Sequence, residues 1–453
     1  MIRAESLDLD RLRLVFEERK VSKVKLGGFD IDGVLRGKYV SLEKFFSAAQ
    51  GGLGFCDVIF GWDLADQLYD NAQVTGWHTG YPDALATIDL STFRMIPWEP
   101  GTAAFLLDFC DSDGKPLAIS PRQVLQRVLS RAARLGFEPR LAAEYEFFLF
   151  KETPESVRAK GFNGLTPLSP GMFGYSWLRA GESKELVHEI QDQLAAFDLQ
   201  VEGFHTETGP GVFEGAIAVD AGLRAADKAA LFKTAVKEIA HRHGLMPCFM
   251  AKWNEKLPGC SGHVHLSLWD GQRNAFSDGA DGMTLQMEQA IAGQLALMPE
   301  LTAVIGPTVN SYKRMVEGAW APTTATWGIE NRTTALRAIT GSAKVTRIEH
   351  RQVAADMNPY LAMAVAVGSA LWGIERGLVP PPPVKGNAYQ AKGAPRLPHS
   401  LSEATARLRE SAAAREILGP EFVEHFARTR EWEVRQFERA VTTWELERYF
   451  EII

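Results

Sequence analysis

The segment from Asn310 to Arg351, NSYKRMVEGAWAPTTATWGIENRTTALRAITGSAKVTRIEHR, carries five arginines (Arg314, Arg332, Arg337, Arg347, Arg351), two lysines (Lys313, Lys344) and three acids (Glu317, Glu330, Glu349). Guanidinium forks grip carboxylates and phosphates through two parallel hydrogen bonds, so this density points to an anionic ligand. The end of the segment, Arg347-Ile-Glu349-His-Arg351, alternates as a strand does and puts Arg347, Glu349 and Arg351 on one face. Alone, that face is a surface ladder of opposite charges. Other clusters in the chain change its meaning.

In Leu141-Ala-Ala-Glu144-Tyr-Glu146-Phe-Phe-Leu-Phe150, the two glutamates share one strand face and Tyr145 and Phe147 the other. Two carboxylates inside so apolar a run resist burial unless a cation lies between them; the alternative is the polar face of an edge strand. His205-Thr-Glu207-Thr-Gly-Pro-Gly-Val-Phe-Glu214 sets two acids either side of a bend that can aim both at one point, or forms a plain loop. In Gly259-Cys-Ser-Gly-His263-Val-His265-Leu-Ser267, two imidazoles at strand spacing follow a glycine-rich turn, which fits the floor of a site. Together Glu144, Glu146, Glu207, Glu214 and Glu349 with one imidazole suit a hard cation, Mg²⁺ or Mn²⁺, and the absence of cysteine argues against structural zinc. Such cations beside an arginine array suit phosphoryl transfer. No G-x-x-x-x-G-K-[ST] loop occurs, so any ATP must be held in another way.

These residues need a scaffold, and 453 residues are more than one core usually supports, which predicts two domains: residues 1–105, a small α+β unit, and 106–453. Short strands are expected at 22–29, 37–41, 86–88 and 103–109, and a helix over 122–135 opened by Pro121. The apolar run 358–374 is slightly shorter than a membrane span and rich in Ala and Gly, which predicts a close-packed core helix. Pro380 to Pro383 form a stiff connector; beyond it Ser400 and Glu403 propose a capping box, Gly419 a helix stop and Pro420 the start of the last helix. A net charge of -7 gives no reason to expect nucleic acid or an anionic membrane as partner. Four cysteines without a C-x-x-C pair, and a start lacking an apolar signal core, suggest a reducing cytoplasm.

The ordered motifs E-Y-E, E…G-P-G…E, G-x-x-G-H-x-H-x-S, N-S-Y-K-R, E-N-R-T-T-A-L-R and R-I-E-x-R followed by M-N-P-Y closely resemble the glutamine synthetase family over most of the chain. The resemblance implies an α+β fold, with an N-terminal β-grasp domain and a catalytic domain of helices around a curved antiparallel sheet. It also implies a homo-oligomer, commonly two stacked hexamers, in which a neighbour's small domain completes each site. Glu146, Glu207 and Glu214 match ligands of the metal near the amino acid, and Glu144, His263 and Glu349 those of the metal near the ATP phosphates. Gly259, Arg314 and Arg351 match positions that hold glutamate, beside Glu146 and His263. Arg332 and Arg337 match those that meet the transferring phosphate, while Ser267, Lys344 and Arg347 match the nucleotide surroundings. The implied chemistry is phosphorylation of the γ-carboxylate of L-glutamate by ATP, then attack of an amine on the acyl phosphate.

The chain departs from the family where ammonia is handled. Ammonia-using members carry a proton-accepting glutamate in V-P-G-[YF]-E-A-P; here the segment is Val316-Glu317-Gly-Ala-Trp320-Ala-Pro322, with Trp320 at the acid's position and Glu317 where proline is usual. D-G-S-S of the small domain is replaced by Phe55-Cys-Asp57-Val-Ile, so Asp57 matches the ammonium-binding acid only loosely. An indole offers an apolar wall and a cation–π face, which suits an organic ammonium better than NH₄⁺. The expectation is a glutamate–amine ligase giving a γ-glutamyl amide, with Glu317 or a neighbour's Asp57 taking the amine's proton. Glutamine synthesis from ammonia with a relocated base is the alternative, and a non-catalytic relative is a third. Tyr389 lies near a position adenylylated in some bacterial members, in a different context, G-N-A-Y-Q-A.

Overall fold

The computed structural model describes residues 8–279 and 282–453. Strands β1 (Lys23–Phe29), β2 (Leu35–Val40), β3 (Leu53–Cys56), β4 (Asp83–Met95) and β5 (Thr102–Cys110) form one sheet in the order β2-β1-β5-β4-β3. β1 runs parallel to β5 and the other pairs are antiparallel. Helices Leu9–Glu18 and Leu42–Gly51 cover one face, burying Leu12, Phe16 and Phe45 against Val24, Leu26 and Phe105. Each helix begins where a side chain accepts an otherwise orphaned amide: Asp8 from Arg11, Ser41 from Lys44. Ser41 is therefore a cap and not the end of a strand, and the short strand expected at 86–88 is the middle of the longer β4. The expected division at residue 105 falls within β5, a strand of this first sheet.

The second sheet comprises β6 (Glu138–Phe150), β7 (Val201–Thr206), β8 (Val212–Ile217), β9 (Asp220–Ala221), β10 (Met246–Cys248), β11 (Val264–Asp270), β12 (Arg273–Asn274), β13 (Trp327–Ile329), β14 (Leu336–Ile339) and β15 (Arg347–His350). Its main order is β13-β14-β15-β11-β6-β8-β7, antiparallel except for β13 on β14. Alternation along β6 decides its faces. Tyr145 and Phe147 are fully buried, Tyr145 stacking on Phe232 of the helix Gly222–Arg242 at 5.6 Å, while Glu144 and Glu146 face the other way. The helix Pro359–Glu375 is buried almost throughout and crosses the helix Leu285–Ile305 where Gly293 meets Gly373. A Cβ at either glycine would lie 2.2 Å from a carbonyl oxygen of the other helix, which accounts for the Gly content of this run. No described helix is long and apolar enough to cross a membrane.

Arg122, on the helix Pro121–Arg134, fastens the first sheet to the helix Gly222–Arg242. It is 3% exposed and donates to Asp227 (2.9 Å), Asp108 (2.8 Å) and Asp89 (2.7 Å), while the Tyr360 hydroxyl donates to Asp227 (2.7 Å). The proline connector lies along β13, where the Trp327 indole donates to Pro381 O at 2.7 Å. The C-terminal helices depart from expectation twice. Ser411 caps a second short helix, Ala412–Leu418, so Gly419 ends that one and not Leu401–Glu410; and Thr443–Tyr449 follows Pro420–Arg439. Ser400 accepts from Glu403 N as expected, but the Glu403 carboxylate reaches back to His399 N.

Candidate active site

Strand register brings the clusters together. Glu146 of β6 pairs with Glu214 of β8, which pairs with His205 of β7. On the other side of β6, Glu144 N donates to His263 O (3.0 Å); His265 of β11 pairs with Glu349 of β15, which pairs with Arg337 of β14. One face of the curved sheet thus presents a row of acids and imidazoles ending in arginine.

The row contains two knots. In one, ligand atoms of His205, Glu207 and Glu214 lie within 4.8 Å of one another; in the other, those of Glu144, His265 and Glu349 do. His263 touches both acids of the second, its Nδ1 being 3.4 Å from Glu144 and 3.2 Å from Glu349. Glu146 lies beside the first knot, with one oxygen accepting Ser261 N at 2.6 Å. Burial, followed by the charges of Glu144, Glu146, Glu207 and Glu349, pushes the Glu214 carboxyl up to about 9. Burial acts in the same direction on Glu349 but is outweighed by His263, His265 and Arg351, which bring it to about 2. Burial also opposes ionisation of Glu144, and His265 and His263 overcome it and drive that carboxyl far down. His263 is shifted down by burial and by the Arg351 charge, which favours the neutral, ligating imidazole. Nε2 of His205, His263 and His265 is buried with no hydrogen-bond partner, although His265 Nε2 stands 3.1 Å from a Glu144 oxygen. Orphaned imidazole nitrogens among mutually repelling carboxylates fit divalent cations, whose charge would permit Glu214 to ionise.

Around the knots stand the cations. Arg337 donates to Glu349 (3.1 Å) and Glu330 (2.9 Å), and Arg351 bonds Glu349 and donates to Arg332 O (3.2 Å). Arg347 Nε donates to His265 Nδ1 at 3.1 Å, orienting that ring. Arg314 is buried and held by Gln352 O at 3.2 Å. Gly259 packs against it so closely that a Cβ would lie 2.9 Å from Arg314 Cγ and 2.4 Å from Ala251 O. Ser267 is buried and accepts the Trp269 indole N–H at 3.0 Å. Arg332, Lys344 and Glu317 are exposed and make no ion pair among the described residues.

Trp320 is 64% exposed, at φ +57°, and shares an open cleft of about 580 Å³ with Ile329, Glu330, Arg332 and Val384. A left-handed backbone at a bulky residue is strain of the kind concentrated at functional sites. Asp57 belongs to the first sheet's surroundings, where it accepts from the Thr75 hydroxyl at 2.8 Å; burial and the nearby Asp83 charge raise its carboxyl above the ordinary value. Two residues without an assigned role from sequence also belong to the site: His265, in the second knot, and His205, in the first. Tyr175 is a third, its ring stacked on His205 at 4.3 Å. A strand alternation that includes His205 could have found the second of these; nothing local marks Tyr175.

The glutamine synthetase catalytic domain matches residues 118–449. The type-1 glutamine synthetase 2 of Dictyostelium discoideum is 48% identical over 97% of this chain and 86% of its own length. A glutamate–isopropylamine ligase of a Pseudomonas species is 39% identical over 98% of both chains, and a gamma-glutamylethanolamide synthetase, GlnA4, of Streptomyces coelicolor 37% identical over 99% and 97%. Among solved structures, GmaS in complex with ADP superposes with a TM-score of 0.85 at 27% identity, covering 97% of this chain and 99% of that one. Motif order, the two acid-and-imidazole knots on one sheet face and these matches agree: the chain belongs to the glutamine synthetase family.

Proposed function

We propose that the protein joins the γ-carboxylate of L-glutamate to a primary amine at the expense of ATP, through γ-glutamyl phosphate, releasing ADP and phosphate. The observation that carries this reading is Trp320, open to the cleft that also holds Arg332, where ammonia-using members place an acid. Relatives named for isopropylamine and ethanolamide products support it.

Arg314 and Gly259 hold glutamate, with Arg351 keeping its carboxylate end oriented. Mg²⁺ or Mn²⁺, held by Glu146, Glu207 and Glu214 with His205, and by Glu144, His263 and Glu349 with His265, would neutralise carboxylate and phosphate oxygens. The γ-carboxylate oxygen forms a bond to the γ-phosphorus of ATP and ADP leaves; Arg332 and Arg337 stabilise charge on the phosphoryl group in flight. Ser267, Lys344 and Arg347 flank the nucleotide. The amine nitrogen then bonds to the acyl carbon and phosphate leaves, while Glu317 or the neighbouring subunit's Asp57 accepts the proton that the ammonium must lose. The Trp320 indole packs on the amine's substituent and partly excludes water that would hydrolyse the acyl phosphate.

Membership of the family supports a homo-oligomer of two stacked hexamers in which a neighbour's small domain completes each site, with a β-grasp domain extending to the end of β5 and the catalytic domain following; light scattering would report the mass of twelve chains. Phosphate release with glutamate, ATP and Mg²⁺, against ammonium and a panel of alkyl, hydroxyalkyl and aryl amines, tests the reading through kcat/KM. At least one amine should exceed ammonium tenfold. If ammonium has the largest kcat/KM, the alternative holds: glutamine synthesis, which the 48% identity to a type-1 glutamine synthetase favours.

A further inference from the structure

The outer face of the first sheet does not close fully on the catalytic domain. Between it and the helix Gly222–Arg242 lies a cavity of about 210 Å³ that shares no lining residue with the active-site cleft. Its sheet side is lined by Gly27 and Gly37, register partners on β1 and β2, and by Ala104 and Leu35. Ala235 on the helix and Phe197 supply the opposite wall. Interiors are packed with few voids larger than a water molecule, and an apolar cavity of ~150 Å³ stays dry and accepts a benzene ring. This one is large enough for a six-membered ring bearing a small head group.

The mouth of the cavity is charged in a particular way. The Trp98 indole N–H donates to Glu238 Oε2 at 2.6 Å, fixing the carboxylate, and its ring packs on Phe197 at 5.0 Å. Lys25 gives its contact ion pair to Glu99 at 2.6 Å and stands 3.8 Å from Glu238 Oε1, and the Tyr39 hydroxyl also donates to Glu99, at 2.6 Å. Lys38, the other cation of the lining, turns away to Gly54 O at 3.2 Å. Glu238 therefore keeps an anchored, partly exposed carboxylate whose ion pairing among the described residues is the longer 3.8 Å contact to Lys25, above apolar walls and beside an indole.

We propose that this cavity is a second ligand site, for a small organic ammonium ion with an apolar body: the body fills the gap between sheet and helix, and the cation meets Glu238 and the Trp98 ring. An occupant there bridges the first sheet and the helix Gly222–Arg242, at a seam that Arg122 fastens further along. The site is independent of the acceptor reading, because a quaternary ammonium has no lone pair and cannot be ligated.

Isothermal titration of the intact protein with benzyltrimethylammonium provides the test, with phenylacetate and benzyl alcohol as anionic and neutral comparators. One saturable site per chain is expected, at least tenfold weaker in Glu238→Gln and lost in Ala235→Leu, which fills the cavity, while both variants keep their amine-ligase kcat/KM. Phenylacetate should bind at least tenfold more weakly than the cation. No binding to the wild type at millimolar probe, equal affinity in wild type and Glu238→Gln, or phenylacetate binding as tightly as the cation would each overturn the proposal. Because Glu238 is a partly exposed surface acid, its variant keeps the test decisive even where Ala235→Leu fails to fold.

Discussion

Replacing Glu214 by glutamine tests whether the acid row is built around cations. In the metal-free protein, burial and four neighbouring carboxylates raise the Glu214 carboxyl to about 9, and its side chain is only 13% exposed. An acid raised in this way takes up a proton on folding. Its penalty is absent below the unfolded value of ~4.3 and grows by ~1.4 kcal/mol per pH unit until the folded value is passed, so stability falls as pH rises. At pH 7 the penalty amounts to about 3–4 kcal/mol. With an unfolding entropy of ~2.1 cal/mol/K per residue over 453 residues, that corresponds to about 3–4 °C. Scanning calorimetry in EDTA at pH 7 should therefore show Glu214→Gln melting above wild type by that amount, and wild type losing Tm between pH 5 and 8 more steeply than the variant. Added Mg²⁺ or Mn²⁺ should reverse the order, since a cation bound only by the folded state adds stability and wild type has the fuller ligand set. A variant that melts below wild type in EDTA, with an undiminished response to metal, would refute the reasoning.

Trp320→Ala should raise KM for the preferred amine about tenfold, with KM for glutamate changed less than twofold, in steady-state phosphate release. Glu317→Gln and Asp57→Asn, made separately, should show which acid takes the proton: the responsible one lowers the amine-dependent rate on the order of 10²-fold at neutral pH, and the loss shrinks as pH approaches the pKa of the amine. Arg122→Ala removes one guanidinium from among three acids and should cost about 3–5 kcal/mol in urea unfolding. Gly259→Ala, whose new methyl group would press on the Ala251 backbone oxygen and on Arg314, should weaken glutamate binding, as seen by titration with glutamate, and lower stability by about 1–3 kcal/mol in urea unfolding.

The parts of the site carried on strands were legible because a period of two announces which side chains share a face. Glu144 and Glu146 alternate with buried Tyr145 and Phe147, and in the neighbouring strand His265 and Ser267 alternate with Val264, Leu266 and Leu268. The run 358–374 was legible as a buried helix because its small residues leave no other way to pack so closely. What depended on distant chain was not. Tyr175 reaches His205 across 30 residues through a loop bond, Tyr175 N to Thr206 O at 2.6 Å, and loop conformation has no periodicity to read. The break at Ser411 was hidden because Ala and Arg on both sides favour helix, and a single serine serves equally as a helical residue and as a cap. The extent of β4 was obscured by the irregular register between Asp89 and Arg94.

One strand spaces the two acid-and-imidazole knots. Glu144 belongs to the knot on one side of β6 and Glu146 is the register partner of Glu214 in the knot on the other, so the interval between them is set by two residues of extended backbone, ~6.6 Å. That gauge is insensitive to loop length, because no turn intervenes between its marks. Slipping the strand by one residue would drive both carboxylates into the hydrocarbon interior together. The rim around Trp320 can therefore change while the spacing of these two carboxylates stays as rigid as the pleat itself.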